Sequence, residues 1–363
     1  MSVASSDSAH AARLKPVGYA GGVAACLLAA LLFGATTPAT KGLSERVDPQ
    51  VLAALLYLGV ALGALPWAVR GWRVIPRLPA GQVLKIGLAC VAGGAIAPVL
   101  LMMALSRAPA ASTSLWLTLE TVWTALLAWF AFREHADRPT IVAVILVTAA
   151  GALLASPDHM SAGVPALLIA IACLCWGLDN NLTATIDRVT PGQLALAKAT
   201  VAITINFGVA GLRGAPLPSA SDAAEAITIG IVGYGVSLML YIRGSQKLGA
   251  SRAQMIFALA PFVGAMGAWL VLGEAATPLQ FGALGLMVVA WVVLQRGHHA
   301  HEHHHDAVEH THAHRHDDGH HDHVHADLPA AASHTHVHEH GMLEHSHPHL
   351  PDLHHRHGHH PAG

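Results

Sequence analysis

Apolar stretches recur through this chain at the length of a membrane crossing, and that recurrence constrains its fold more than any other feature. Ten can be counted, over roughly residues 17–40, 51–69, 83–105, 108–132, 139–155, 164–186, 193–212, 226–242, 250–272 and 279–294. Most reach the roughly 17–25 residues that a helix needs to cross about 30 Å of hydrocarbon. The first is longer than the apolar core of a signal peptide and ends in Thr37-Pro38-Ala39-Thr40-Lys41, so it is taken as a helix of the mature protein. Only 12% of residues are charged, against about 25% in soluble domains. A soluble enzyme is excluded, and no nucleotide-binding glycine loop or nucleophile–base constellation points to an enzyme of another kind. The expected fold is an all-α integral membrane protein of ten transmembrane helices.

The charge is divided unevenly. Residues 16–296 hold 16 Lys/Arg and 11 Asp/Glu, whereas residues 297–363 hold 2 Arg, 10 acids and 26 of the 29 histidines. Four segments follow: an N-terminal segment 1–16, two membrane halves 17–156 and 163–296, and a histidine-rich tail 297–363. Cys26, Cys90, Cys173 and Cys175 lie inside apolar runs and read as small core residues. With the N-terminus inside, thirteen loop-proximal Lys/Arg fall on the cytoplasmic side and four (Lys41, Arg46, Arg107, Arg213) on the other. That bias follows the positive-inside rule and places both termini in the cytoplasm of a multi-pass plasma (inner) membrane protein.

The halves resemble each other. A shift of 140 residues lays residues 106–154 on 246–294, matching Trp129 with Trp269 and Glu134 with Glu274 among more ordinary Ala and Leu pairs. Earlier, Phe33-Gly34 faces Trp176-Gly177, and Pro49-Gln50-Val51-Leu52-Ala53 faces Pro191-Gly192-Gln193-Leu194-Ala195. Five helices per half is odd, so the halves must be inverted, a plan that secondary transporters use to build a midplane substrate site. A duplicated structural membrane protein is the alternative.

The sequence resembles the EamA family of the drug/metabolite transporter superfamily. The residues that carry the likeness are Phe33-Gly34, Pro38 and Lys41 in the first helix and Trp176-Gly177 in the sixth. In the ninth and tenth they are Leu259-Ala260-Pro261-Phe262, Leu272-Gly273-Glu274, Gln280 and Gly282. The resemblance implies ten helices in two homologous halves and a transport function, and fixes no substrate. Two departures stand out: Glu120-Thr121 where the second half has Ala260-Pro261, and Asp179-Asn180-Asn181 after Trp176-Gly177 in place of Pro and Lys.

Polar groups inside a bilayer are costly, which makes each a functional candidate. On a continuous fourth helix Glu120 would share a face with Thr113, Trp116 and Trp123, with Thr124 beside them. A carboxylate between two indoles suits a cation, and competition between a proton and substrate at Glu120 would give an antiport. The bland alternative pairs Glu120 with Lys41 or Lys198 to hold helices together. Asp179, Asn180, Asn181 and Thr183 cannot all face lipid, and read as cavity lining or helix–helix bonding. Lys198, with Thr204 and Asn206 on the same helix, could balance Asp179 or bind a substrate carboxylate. Lys41 is as readily a snorkelling residue as a ligand, and Glu134 and Glu274 read as structural.

The tail alternates histidine with acids and has almost no apolar mass, so it is expected to be disordered. Its histidines, among them His301, His303, His304, His305, His310, His312, His314, His316, His320, His321, His323 and His325, suit zinc, nickel, cobalt or copper. A solubilising, pH-responsive polymer is the alternative. Transport itself requires no cofactor. The partners implied are a small-molecule or ion substrate and the lipid bilayer, with no nucleic acid; a homodimer is left open. The leading expectation is proton- or gradient-coupled export of a small polar or cationic metabolite, with the tail as a metal-binding accessory. Efflux of nickel, cobalt or zinc loaded by the tail is second, and a membrane-anchored metal buffer without transport is third.

Overall fold

A computed structural model describes residues 19–70, 78–131, 138–154, 163–186, 189–248, 256–296, 300–305, 308–314, 334–340 and 343–348. The N-terminal segment 1–16, Glu134, and His316, His320, His321, His323 and His325 lie outside the described residues. The body is helical: α1 (Tyr19–Gly34), α2 (Thr36–Arg46), α3 (Pro49–Arg70), α4 (Ala80–Ala89), α5 (Ala97–Leu105), α6 (Ala110–Trp116), α7 (Leu119–Phe130), α8 (Arg138–Leu154), α9 (Gly163–Ala184), α10 (Pro191–Leu212), α11 (Ala220–Ile229), α12 (Ser237–Leu248), α13 (Ala260–Val271) and α14 (Pro278–Arg296). Two π-helical segments, π1 (Cys90–Ile96) and π2 (Gly230–Val236), join α4 to α5 and α11 to α12. Among the described residues, six helices are long and apolar enough to cross a membrane: Ala20–Arg46, Pro49–Val69, Ala80–Leu105, Gly163–Ala184, Pro191–Leu212 and Ala220–Gly244. Three shorter apolar helices accompany them, Ile141–Leu153, Ala260–Val271 and Pro278–Val293.

Local chemistry sets several helix starts. Thr190 and Gln193 form a reciprocal capping box ahead of α10, with Pro191 at the first helical position. Thr277 and Gln280 do the same for α14, each side chain accepting the other's backbone N–H at 2.9 and 3.2 Å. Asp48 accepts the N–H of Gln50 at 2.9 Å at the start of α3 and holds Arg213, at the end of α10, at 3.2 Å.

Packing brings α3 onto α10 and π2, α10 onto π1, α1 onto α12, α5 and α7 onto α9, α6 onto α13, and α8 onto α14. The main apolar cluster contains Leu43, Leu52, Met102, Leu105, Leu115, Trp116, Ile169 and Met287. Buried among the helices are Thr36, Thr37, Thr40, Thr113, Ser114, Asp179, Asn181 and Asn206, while Leu31, Leu84, Ile145 and Leu167 lie exposed on their outer faces. Polar side chains inside and large apolar ones outside is the arrangement that a lipid environment favours.

One expectation is corrected. The stretch 108–132 is not one helix: α6 and α7 meet at a turn over Leu117 and Thr118. There Thr118 Oγ1 bonds back to the Leu115 carbonyl at 2.6 Å. The N–H groups of Thr118, Glu120 and Thr121 take the carbonyls three residues back. Local side-chain bonding has won over the continuous helix. Among the described residues of the tail are four short strands: β1 (Ala300–His305), β2 (Val308–His314), β3 (His334–His340) and β4 (Leu343–Pro348). They pair antiparallel as β1–β4 and β2–β3. The His-x-His alternation has the period of a strand.

Candidate functional site

Glu120, Asp179 and Lys198 gather where α7, α9, α10 and π1 meet. Asp179 on α9 is 5% exposed, and Lys198 on α10 holds both its oxygens, Nζ to Oδ1 at 2.6 Å and to Oδ2 at 2.8 Å. Thr183, one turn along α9, donates to Asp179 Oδ1 at 3.0 Å and accepts from Lys198 at 3.3 Å. The carboxylate lies directly against Gly93 of π1, where a methyl group would overlap it. The Gly93 carbonyl accepts the Tyr57 hydroxyl of α3 and the Trp176 indole N–H of α9, both at 3.0 Å. A π turn displaces backbone groups from their usual partners, and here side chains from two other helices use the carbonyl. Asn206 on α10 donates to the Ala95 carbonyl of the same segment at 3.2 Å.

Glu120 sits half-buried in the first turn of α7, where the helix dipole favours a carboxylate. Its side-chain partner is the neutral Asn180 of α9, whose Nδ2 donates to Oε1 at 2.8 Å and reaches Thr124 Oγ1 at 3.4 Å. Neither lysine considered for Glu120 pairs with it. Lys198 is taken by Asp179, and Lys41 donates to the Leu105 and Ala108 carbonyls at 2.7 and 3.0 Å and pairs with Glu45 at 2.9 Å. Lys41 thus closes the C-terminal end of α5.

The aromatic partners are arranged differently from the expected stripe. Trp116 is buried in the main apolar cluster, Trp123 packs against Gly177 of α9, and the Leu117–Thr118 turn separates Trp116 from Glu120. Asn181 bonds the Thr124 and Gly177 carbonyls at 3.0 and 2.8 Å and ties α9 to α7. Thr204 bonds within its own helix to Thr200. Glu274 accepts the N–H groups of Ala110 and Ala111 at 2.7 and 2.9 Å and so caps α6. Among the described residues, no group of three or more His, Cys, Asp and Glu is gathered to hold a metal ion.

Sequence reasoning missed π1, Gly93 and Tyr57, and met Trp176 only as part of the repeat and family pattern, without a role at this site. The signal available was Gly93-Gly94 inside an apolar run, with Gly230, Gly233 and Gly235 at the corresponding place of the second half.

Helices that carry buried charge inward and apolar side chains outward define a multi-pass membrane protein, and comparison with known proteins makes the class specific. The model of the EamA-like transporter family matches residues 20–156 and again 164–295. The chain belongs to that family. It is 24% identical over 287 residues to the uncharacterized inner membrane transporter YicL of Salmonella typhimurium, covering 74% of this chain and 92% of that one. It is 23% identical over 229 residues to an uncharacterized transporter of Methanothermobacter thermautotrophicus, covering 60% and 66%. A crystal structure of 18% identity shares the fold at a TM-score of 0.53, covering 76% of this chain and 96% of that one.

Proposed function

We propose that this protein is a gradient-coupled secondary transporter of the inner membrane that exports a small polar or cationic metabolite, with Glu120 as the charge that recognises the cargo. The observation that carries this reading is the imbalance at the α7–α9–α10 junction. Asp179 is neutralised by Lys198, whereas Glu120 faces the neutral Asn180. A carboxylate held among membrane helices without a cationic partner favours a cation arriving from outside the protein. Its neighbours are oxygen and amide groups, which suit an ammonium or other hard cation better than nickel, cobalt or zinc.

Ten crossings in two inverted halves are part of the same proposal. In its support, π1 and π2 have equal length and lie 140 residues apart, Cys90 against Gly230. The contacts fall into matching sets, α1 with α12 beside α9 with α5, and α3 with π2 beside α10 with π1. We read the tail as a cytoplasmic accessory that binds transition metal. The register sets His310 opposite His338, His312 opposite His336 and His314 opposite His334, at alternate positions along the strand pair.

Proteoliposome flux under an imposed pH gradient tests the reading, with amino acids and amines set against nickel, cobalt and zinc. The full chain is compared with a form ending at Arg296. Metabolite flux that survives truncation and falls at least about 100-fold in Glu120→Gln, the scale expected when a required charge is lost, supports it. Metal flux that weakens on truncation would replace it with metal efflux.

A further inference from the structure

Glu120 and Thr124 stand one turn apart on α7, and Asn180 reaches them from α9. Its Nδ2 lies 2.8 Å from Glu120 Oε1 and 3.4 Å from Thr124 Oγ1. One polar atom therefore touches a carboxylate oxygen and a hydroxyl oxygen together, at a point between two helices. The amide is planar and two-faced, so a half-turn about its terminal bond puts Oδ1 where Nδ2 stands. The three side chains can then converge as three oxygens: carboxylate, hydroxyl and amide.

The charge of the junction selects the ion. With Asp179 and Lys198 paired and Glu120 hydrogen-bonded only to the neutral Asn180 amide among side chains, an ionised Glu120 leaves the junction a single excess negative charge. A monovalent cation brings that to zero, whereas a divalent one would leave a positive charge among apolar helices. Oxygen donors without thiol or imidazole favour hard cations over transition metals. Asn180 is exposed and Glu120 half-buried where α7 packs on α9, so protein does not fully enclose the point.

We infer that Glu120, Thr124 and Asn180 form a binding site for a monovalent alkali cation that exchanges with the cargo at Glu120, so that a sodium gradient drives transport. The inference rests on the transporter reading only for its second clause. The site holds whether or not the cargo is known, and binding displaces the Asn180 N–H from Glu120, replacing a neutral hydrogen bond by an ion shared between α7 and α9.

The test is thermal unfolding of the purified full chain in NaCl, KCl or choline chloride at equal ionic strength and fixed pH. An ion bound by the folded state alone raises Tm by an amount that grows with ion concentration. The expected result is a rise of about 2–4 °C in NaCl over choline chloride. That rise should be absent in Glu120→Gln and Thr124→Ala and retained in Asn180→Asp, which keeps an oxygen at that position. Should Glu120→Gln fail to fold, Thr124→Ala against Asn180→Asp decides the matter. Equal Tm in NaCl and choline chloride, or a sodium effect that survives Thr124→Ala, overturns the site. A sodium shift in a protein that moves no cargo in proteoliposomes would leave the site standing and remove the transporter reading. Flux driven by a pH gradient in sodium-free buffer, without a sodium shift, would do the reverse.

Discussion

The segments π1 and π2 are both seven residues of π-helix, and in each a glycine admits a side chain from a neighbouring helix: Asp179 of α9 at Gly93, Thr36 of α2 at Gly233. The backbone device is shared and the chemistry is not. Beside π1 the carboxylate is held by Lys198, and the aromatic residues Tyr57 and Trp176 donate hydrogen bonds to the Gly93 carbonyl. Beside π2 the hydroxyl of Thr36 bonds the Phe33 carbonyl of its own chain segment at 2.6 Å. The aromatic residues there pack ring on ring, Phe33 with Tyr234 at 5.5 Å and with Phe257 at 5.3 Å. A neutral contact is therefore enough to pack a helix onto a π segment. The charges at π1 are an addition that packing does not require, which is why the junction beside Glu120 is read as the working side.

Breaking the charged side should have the largest effect on stability. Lys198→Leu leaves Asp179 buried and unpaired, at a cost of about 3–5 kcal/mol. Replacing both partners, Asp179→Thr with Lys198→Leu, gives π1 the neutral chemistry of π2 and should return stability to within about 1 kcal/mol of the parent protein. Thermal or denaturant unfolding of the single and double variants reads this directly. A double variant as unstable as the single one would mean that π1 cannot be packed without its ion pair, and the comparison would fail.

The glycines give a smaller and sharper contrast. Gly93→Ala and Gly233→Ala each force a methyl group into an occupied space, at about 1–3 kcal/mol. At Gly233 the atom in the way is the Thr36 methyl, so Thr36→Ser should relieve the strain while its hydroxyl keeps the bond to Phe33. At Gly93 the obstruction runs along the whole Asp179 side chain, and shortening that side chain would orphan Lys198. Rescue at Gly233 and none at Gly93 is the expected pair of results in unfolding experiments.

Hydropathy made the apolar helices legible because burial in lipid leaves its mark on composition residue by residue. It could not show the break at Leu117–Thr118, which contains no proline and arises from a threonine bonding to its own backbone, whereas Pro261 announces the start of α13. The candidate polar residues could be named from their cost in a bilayer, but their partners could not. Lys198 was as free to meet Glu120 as Asp179 until the packing of α9 on π1 set the distances. Lys41 matches the family pattern, and its contacts with the Leu105 and Ala108 carbonyls are backbone contacts that no side-chain pattern encodes. The π segments were illegible for the same reason: a π turn is a matter of hydrogen-bond register, and glycine only permits it.

The smallest effect on the fold is expected at Glu120, and that is what separates it from Asp179. Gln at this position still offers Oε1 to the Asn180 amide, now at 2.8 Å, and removes no ion pair. Stability of Glu120→Gln should stay within about 0.5 kcal/mol of the parent, where Lys198→Leu costs several times more. Asn180→Leu, which strips the carboxylate of its donor, should cost about 1–3 kcal/mol and so fall between them. That order would show Asp179 and Lys198 holding the junction together while Glu120 is held in readiness by a neighbour. A Glu120→Gln protein as unstable as Lys198→Leu would instead make Glu120 a structural acid, and the cation would then have no site at this junction.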